Sequence, residues 1–296
     1  NNKAAPNLND VGWRVSPEFL RRFIADPAET QPGTTMPQVF TEMPREKREE
    51  VADAISQFLI SQSSTSFHRD SIAQGDIDKG SELFHSVGCV ACHQPRDAAT
   101  VGATAPAELP GFIGLEHLPE KYSLLSLSQF LHQPLSVRPS GRMPDMGLNS
   151  EEAKSIASYL LGAEYEVIEP AQAEGSQVEA GKEYFLTYNC AACHPLDGLK
   201  NLPKVVEKDR LDSNAGCLSP NPSHAPDFSL SSDQRAAIKK ALVTGEVTPS
   251  VNDKIATTLT AFNCIGCHVR DDYGGVPPKT NLYFKTSEPS LGEEAR

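Results

Sequence analysis

Six of the seven cysteines fall in three copies of one short pattern: Cys89-Val90-Ala91-Cys92-His93, Cys190-Ala191-Ala192-Cys193-His194 and Cys264-Ile265-Gly266-Cys267-His268. Two thiols three positions apart can each add to a vinyl group of one porphyrin. The adjacent imidazole then lies under the iron as its proximal ligand. Other chemistries fit this spacing less well. A redox dithiol needs neither a following histidine nor a threefold repetition. Zinc accepts Cys-x-x-Cys plus His, but a histidine directly after the second cysteine is badly placed for the same ion. A disulfide within four residues closes too short a loop to stabilise much. The pattern therefore predicts three covalently bound haem c groups, with His93, His194 and His268 as proximal ligands. Thioethers of this kind are made outside the cytoplasm, so the chain is expected to be exported, to the periplasm or beyond. Cys217 is left over. It reads as a small buried hydrophobe, the alternative being an iron ligand or a reactive thiol.

Each motif needs an element to hold it. Nine residues before the first cysteine stand Gly80, Gly181 and Ile255; five before it stand Phe84, Phe185 and Leu259. That spacing puts each pair near one helical face, so a short amphipathic helix is expected to end at each motif. Asp76 and Asp253 supply carboxylates to the starts of the first and third helices. A glycine at this position permits close approach of a second helix, and Ile255 weakens that expectation for the third copy.

A second unit also repeats. Phe23-Ile24-Ala25-Asp26-Pro27 leads through Pro32 to Met36-Pro37, and Phe130-Leu131-His132-Gln133-Pro134 leads through Pro139 to Met143-Pro144. Phenylalanine and methionine are 13 residues apart in both. After each Met-Pro the periodicity predicts an amphipathic helix, over 45–61 and 150–161. A helix over 231–243 echoes these without a Met-Pro before it.

The run from Cys-x-x-Cys-His through a proline-rich loop and Arg142-Met143-Pro144 to a closing helix resembles class I cytochrome c domains. It is strongest over 80–161. The resemblance implies a mostly α, loop-rich fold in which the helix carrying the motif packs across the closing helix. It also implies that Met143 is the distal ligand of the iron bound by His93, with Met146 as a nearby alternative.

On this resemblance the chain divides into tandem domains with half-domains at both ends. Residues 1–66 hold a distal Met loop and closing helix, 67–165 a complete domain, 166–250 an atypical domain without methionine, and 251–296 a haem motif alone. Met36 is accordingly expected to serve the His268 iron, of the same chain or of a neighbour in a head-to-tail polymer. A third account makes the chain a processed piece of a longer array; its start at Asn1-Asn2-Lys3 fits a removed signal peptide or a fragment. The middle iron lacks a methionine, which makes His224 its candidate distal ligand, with His68, His85, His117 and His132 as alternatives. The stretches 61–66 and 164–177 read as connectors.

Composition narrows the class. The net charge is −12, with no basic block, which points away from nucleic acid. No apolar run reaches the ~18–20 residues of a membrane-spanning helix. The expected function is electron transfer, with redox proteins, and further copies of the chain, as partners. Three alternatives stand beside it: a peroxidase-like enzyme working at an open middle haem, a structural fibre, and the cytochrome module of a larger dehydrogenase.

Overall fold

The computed structural model describes residues 5–94, 114–115, 117–139, 141, 143–163, 165–169, 173–199, 212, 214–222, 225–244, 248–276, 278 and 283–285. The fold is mostly α. In chain order the helices are Val11–Arg14 (α1), Pro17–Ala25 (α2), Pro27–Thr30 (α3), Arg45–Ser61 (α4), Gln74–Ser86 (α5), Leu118–Lys121 (α6), Leu124–His132 (α7), Pro134–Val137 (α8), Ser150–Leu161 (α9), Gly175–Thr187 (α10), Ser232–Thr244 (α11) and Val251–Ala261 (α12). Strands Val269–Arg270 (β1) and Tyr273–Gly274 (β2) form an antiparallel hairpin. Its two turn residues, Asp271 and Asp272, both have positive φ, as a two-residue turn matching strand twist requires.

The chain forms two compact units. The first joins residues 1–67 to 170–250, and the second joins 68–169 to 251–296. This grouping differs from the expected division, in which the two ends of the chain complete one another. The head folds with the middle haem segment, and the tail folds with the segment of the first motif.

Helices α1–α4 and α6–α9 are two copies of one arrangement, which the repeated Phe-to-Met unit foreshadowed. Ser16 and Ser123 each precede the second helix of their copy, and each hydroxyl accepts a backbone N–H three residues on, from Phe19 and Ser126. This satisfies one of the free donors at a helix start. Pro27 and Pro134 each open the third helix, where the fixed proline φ suits the first turn and no N–H is needed. Both prolines are fully buried.

Each copy closes on a haem-motif helix through the same crossing. In the second unit α5 lies on α9. A methyl group at Gly80 would collide with the Ser155 carbonyl oxygen and press on Tyr159. In the first unit α10 lies on α4, and a methyl group at Gly181 would collide in the same way with the Ala54 carbonyl oxygen and press on Phe58. Beside each glycine an aromatic pair fills the gap: Phe84 against Tyr159 at 5.3 Å between ring centroids, and Phe185 against Phe58 at 5.6 Å. Phe84 and Phe185 are each 1% exposed. The core of the first unit runs through Leu20, Ile24, Phe40, Val51, Ile55, Phe58 and Phe185, so residues from both of its chain segments share one apolar interior.

The third motif helix differs. α12 buries none of its residues, and among the described residues no helix packs along it within its unit as α9 packs along α5. Val251 and Phe262 remain largely exposed. With Ile255 where the other two have glycine, the close crossing is sterically unavailable to it. α11, the echo of a closing helix, also buries no residue.

Candidate haem sites

All three motifs are built alike. Each helix ends at a residue in the left-handed region: Gly88 at φ 106°, Asn189 at 52° and Asn263 at 55°. Glycine and asparagine are the residues that enter this region at least cost. The backbone then tightens into a 3-10 turn over Cys89–Ala91, Cys190–Ala192 or Cys264–Gly266. The amide of each following histidine donates to the carbonyl of the first cysteine, at 3.0 Å for His93, 3.0 Å for His194 and 2.9 Å for His268. The second cysteine donates to the same carbonyl at 3.2 Å in every copy. This i to i+3 and i to i+4 pairing folds the five residues into one turn, gathering the thiols and the imidazole at a single place.

The second motif is the most fully furnished. His194 Nδ1 lies 3.0 Å from the Pro6 carbonyl oxygen. An Nδ1–H donated there leaves Nε2 bare for an iron, the usual way a backbone carbonyl sets the tautomer of a metal-binding histidine. Burial pushes the His194 imidazole below its ordinary value, and the hydrogen bond to Pro6 acts in the opposite sense. The head segment is further tied to this motif by Leu8 N–H donating to the Pro195 carbonyl at 3.0 Å. Asn9 donates through Nδ2 to Asp197 at 2.8 Å and accepts from the Asp197 amide at 2.7 Å.

The Met36 loop belongs to the same unit as His194. The Gln38 and Asp227 backbones pair in a two-way bridge, at 2.9 and 2.8 Å. Gln38 Nε2 donates to the Ala25 carbonyl at 2.9 Å, fixing the loop on the end of α2. The second unit ties its Met143 loop to the matching place, through His132 Nδ1 at 2.7 Å from the Leu148 carbonyl. Met36 and Met143 are both half-buried. Met146 sits with its methyl group 3.9 Å from the position a Gly88 side chain would take. Met43-Pro44, a second Met-Pro pair in the head, escaped the sequence reading; Met43 packs against the apolar core, which is the filler role common for methionine.

Within the chain the expected pairing of Met36 with His268 is not what the units show: Met36 lies in the unit of His194, and His268 in the other. The close crossing at Gly181, which Ile255 cannot reproduce, is the physical reason. His224 lies outside the described residues. Of the other histidines, His85 is 1% exposed, with Nδ1 2.5 Å from the Tyr283 carbonyl oxygen. It holds the tail against α5. His68 Nε2 lies 3.5 Å from Asp70. Cys217 is half-buried in the 3-10 turn Gly216–Leu218.

These residues fit a haem better than a metal ion or a redox dithiol. Burial pushes the Cys89 and Cys190 thiols up to about 11, their own backbone hydrogen bonds opposing it. A redox-active pair instead has its thiol lowered. Among the described residues no group of histidine, cysteine and acidic side chains could hold a metal ion. Lys121 is 3% exposed; burial, and then the nearby Arg138, push it down to about 6. Arg138 donates to the Tyr122 hydroxyl at 3.0 Å. Among the described residues no helix is long and apolar enough to cross a membrane.

No curated protein and no solved structure was found to match the chain. Residues 77–164, from within α5 to just past α9, match the family model described as Cytochrome c, and this supports a c-type cytochrome that carries covalently bound haem.

Proposed function

We propose that the chain is a three-haem c-type cytochrome that carries electrons between redox proteins outside the cytoplasm. The supporting observation is the shared local geometry of the three motifs, down to the left-handed residue before each first cysteine. Cys89 and Cys92, Cys190 and Cys193, and Cys264 and Cys267 hold the groups; His93, His194 and His268 lie under the irons. The haem supplies one-electron chemistry at iron. The protein supplies position, burial and a second axial ligand. Met143 is the distal ligand for His93, and Met36, from the same unit, is the distal ligand for His194. His224 is then not needed in that role.

The head-to-tail polymer rested on a free closing half at the head, and α10 occupies that face. The peroxidase-like alternative rested on a middle segment without methionine, and Met36 now shares its unit. Neither is carried forward.

Haem counting by intact mass and by alkaline pyridine spectra is expected to give three groups per chain, falling to two in Cys190→Ala/Cys193→Ala. Axial methionine raises the reduction potential of a haem. Met36→Ala is thus expected to lower the potential of one haem and Met143→Ala that of another. If Met36→Ala left every potential unchanged, the ligand assignment in the first unit would be wrong.

A further inference from the structure

The second unit contains two motifs, and their second cysteines meet. Asn263, the left-handed residue that opens the third motif, points Nδ2 at Cys92 Sγ of the first motif, 3.9 Å away. Cys267 lies beside the same thiol. A separate anchor holds the two segments in this register. Tyr283 is 2% exposed; its carbonyl oxygen lies 2.5 Å from His85 Nδ1, and the Lys285 amide donates to the His85 carbonyl at 3.3 Å. His85 stands four residues before Cys89. The third motif is thus tied to the first at Asn263, and a later part of the tail is tied to α5 at His85. The hairpin folds back on the third motif itself, where the Gly275 amide donates to the Ile265 carbonyl at 2.9 Å.

We infer that the haems of the first and third motifs form a close pair joined at their cysteine-bearing edges across Cys92 and Cys267, with Asn263 as the residue that sets the contact. This rests on the three-haem reading. The exposed α12 is then a carrier whose task is to present a haem to its neighbour, which needs no closing helix. Transfer within the pair oxidises one iron and reduces the other, and an electron entering at one motif is shared between two.

Two porphyrins in contact couple their Soret transitions, which gives a two-signed band in circular dichroism. Haem content is measured by mass on the same samples. The expected result is three haems and a Soret couplet in the unaltered protein. The couplet is retained in Cys190→Ala/Cys193→Ala and lost in Cys264→Ala/Cys267→Ala. Asn263→Gly keeps the left-handed backbone and all three attachment sites, so it tests the contact even where the cysteine variant fails to mature; its couplet is expected to fall by about half or more. Three haems with no couplet, or a couplet that vanishes with the second motif, overturns the pair and leaves the three-haem reading standing. A third motif that carries no haem, with Cys92 and Cys267 recovered as a disulfide, overturns both.

Discussion

α5 crosses α9 inside one continuous stretch of chain, whereas α10 crosses α4 from the far side of the whole 68–169 segment. Yet the two crossings share a glycine against a backbone carbonyl and an aromatic pair beside it. Connectivity has changed and packing has not. The contact itself, more than the loop that joins its halves, specifies this arrangement. Closing a longer loop costs only slowly more entropy, so a whole domain can sit between two halves that fit. α12 makes the contrast complete. It carries the same motif and the same 3-10 turn, but Ile255 replaces the glycine, and among the described residues no helix crosses it as α9 crosses α5. The motif turn is local, and the crossing needs a partner with room for it.

The comparison can be broken at the aromatic pair. Phe84→Ala and Phe185→Ala each remove a fully buried ring and are expected to lower the stability of their own unit by about 3–5 kcal/mol, measured by denaturant unfolding. Nearly equal losses are expected, and a much smaller loss for Phe185→Ala would show that the interrupted unit packs differently. Gly80→Ala and Gly181→Ala force the helices apart, for roughly 1–3 kcal/mol each, as overpacking does.

Lys121 separates the two copies in another way. The matching place in the head is Arg14, whose guanidinium donates to the Asp10 and Asn7 carbonyls. Lys121 instead has its folded-state value lowered, so the folded haem-free protein binds fewer protons than the unfolded one between about 6 and the ordinary 10.5. Its stability is expected to rise with pH through that window. Lys121→Met should flatten the rise, by on the order of 1 kcal/mol per pH unit, in parallel urea titrations. The smallest effect belongs to the end of the third motif helix, where Phe262→Ala, just past α12, is expected to change stability by less than about 0.5 kcal/mol, since the ring is 48% exposed.

Much of this was legible in the residues. The helices over 45–61 and 150–161 follow their apolar periodicity to the residue, and the three motifs announce their own turns. The connector read over 164–177 was too long, because α10 begins at Gly175, with no side-chain cap to mark it. What spacing could not supply was which closing helix meets which motif. Periodicity reports that a face is apolar and says nothing about what covers it. The signal lay in single residues: Gly181 permits the crossing with Ala54 and Phe58, and Ile255 forbids it. Counting which segments lacked a methionine pointed instead to the tail, because it took order along the chain as a guide to order in space.

The interruption of the first unit also sets a timetable. At roughly 5–20 residues per second, α4 emerges on the order of ten seconds before α10 exists to cover it. Throughout that interval Val51, Ile55, Phe58 and Leu59 face solvent or a chaperone, and by its end α5 and α9 are both present. The crossing of α5 on α9 can therefore form first, and the apolar face of α4 stays uncovered until the middle of the chain arrives.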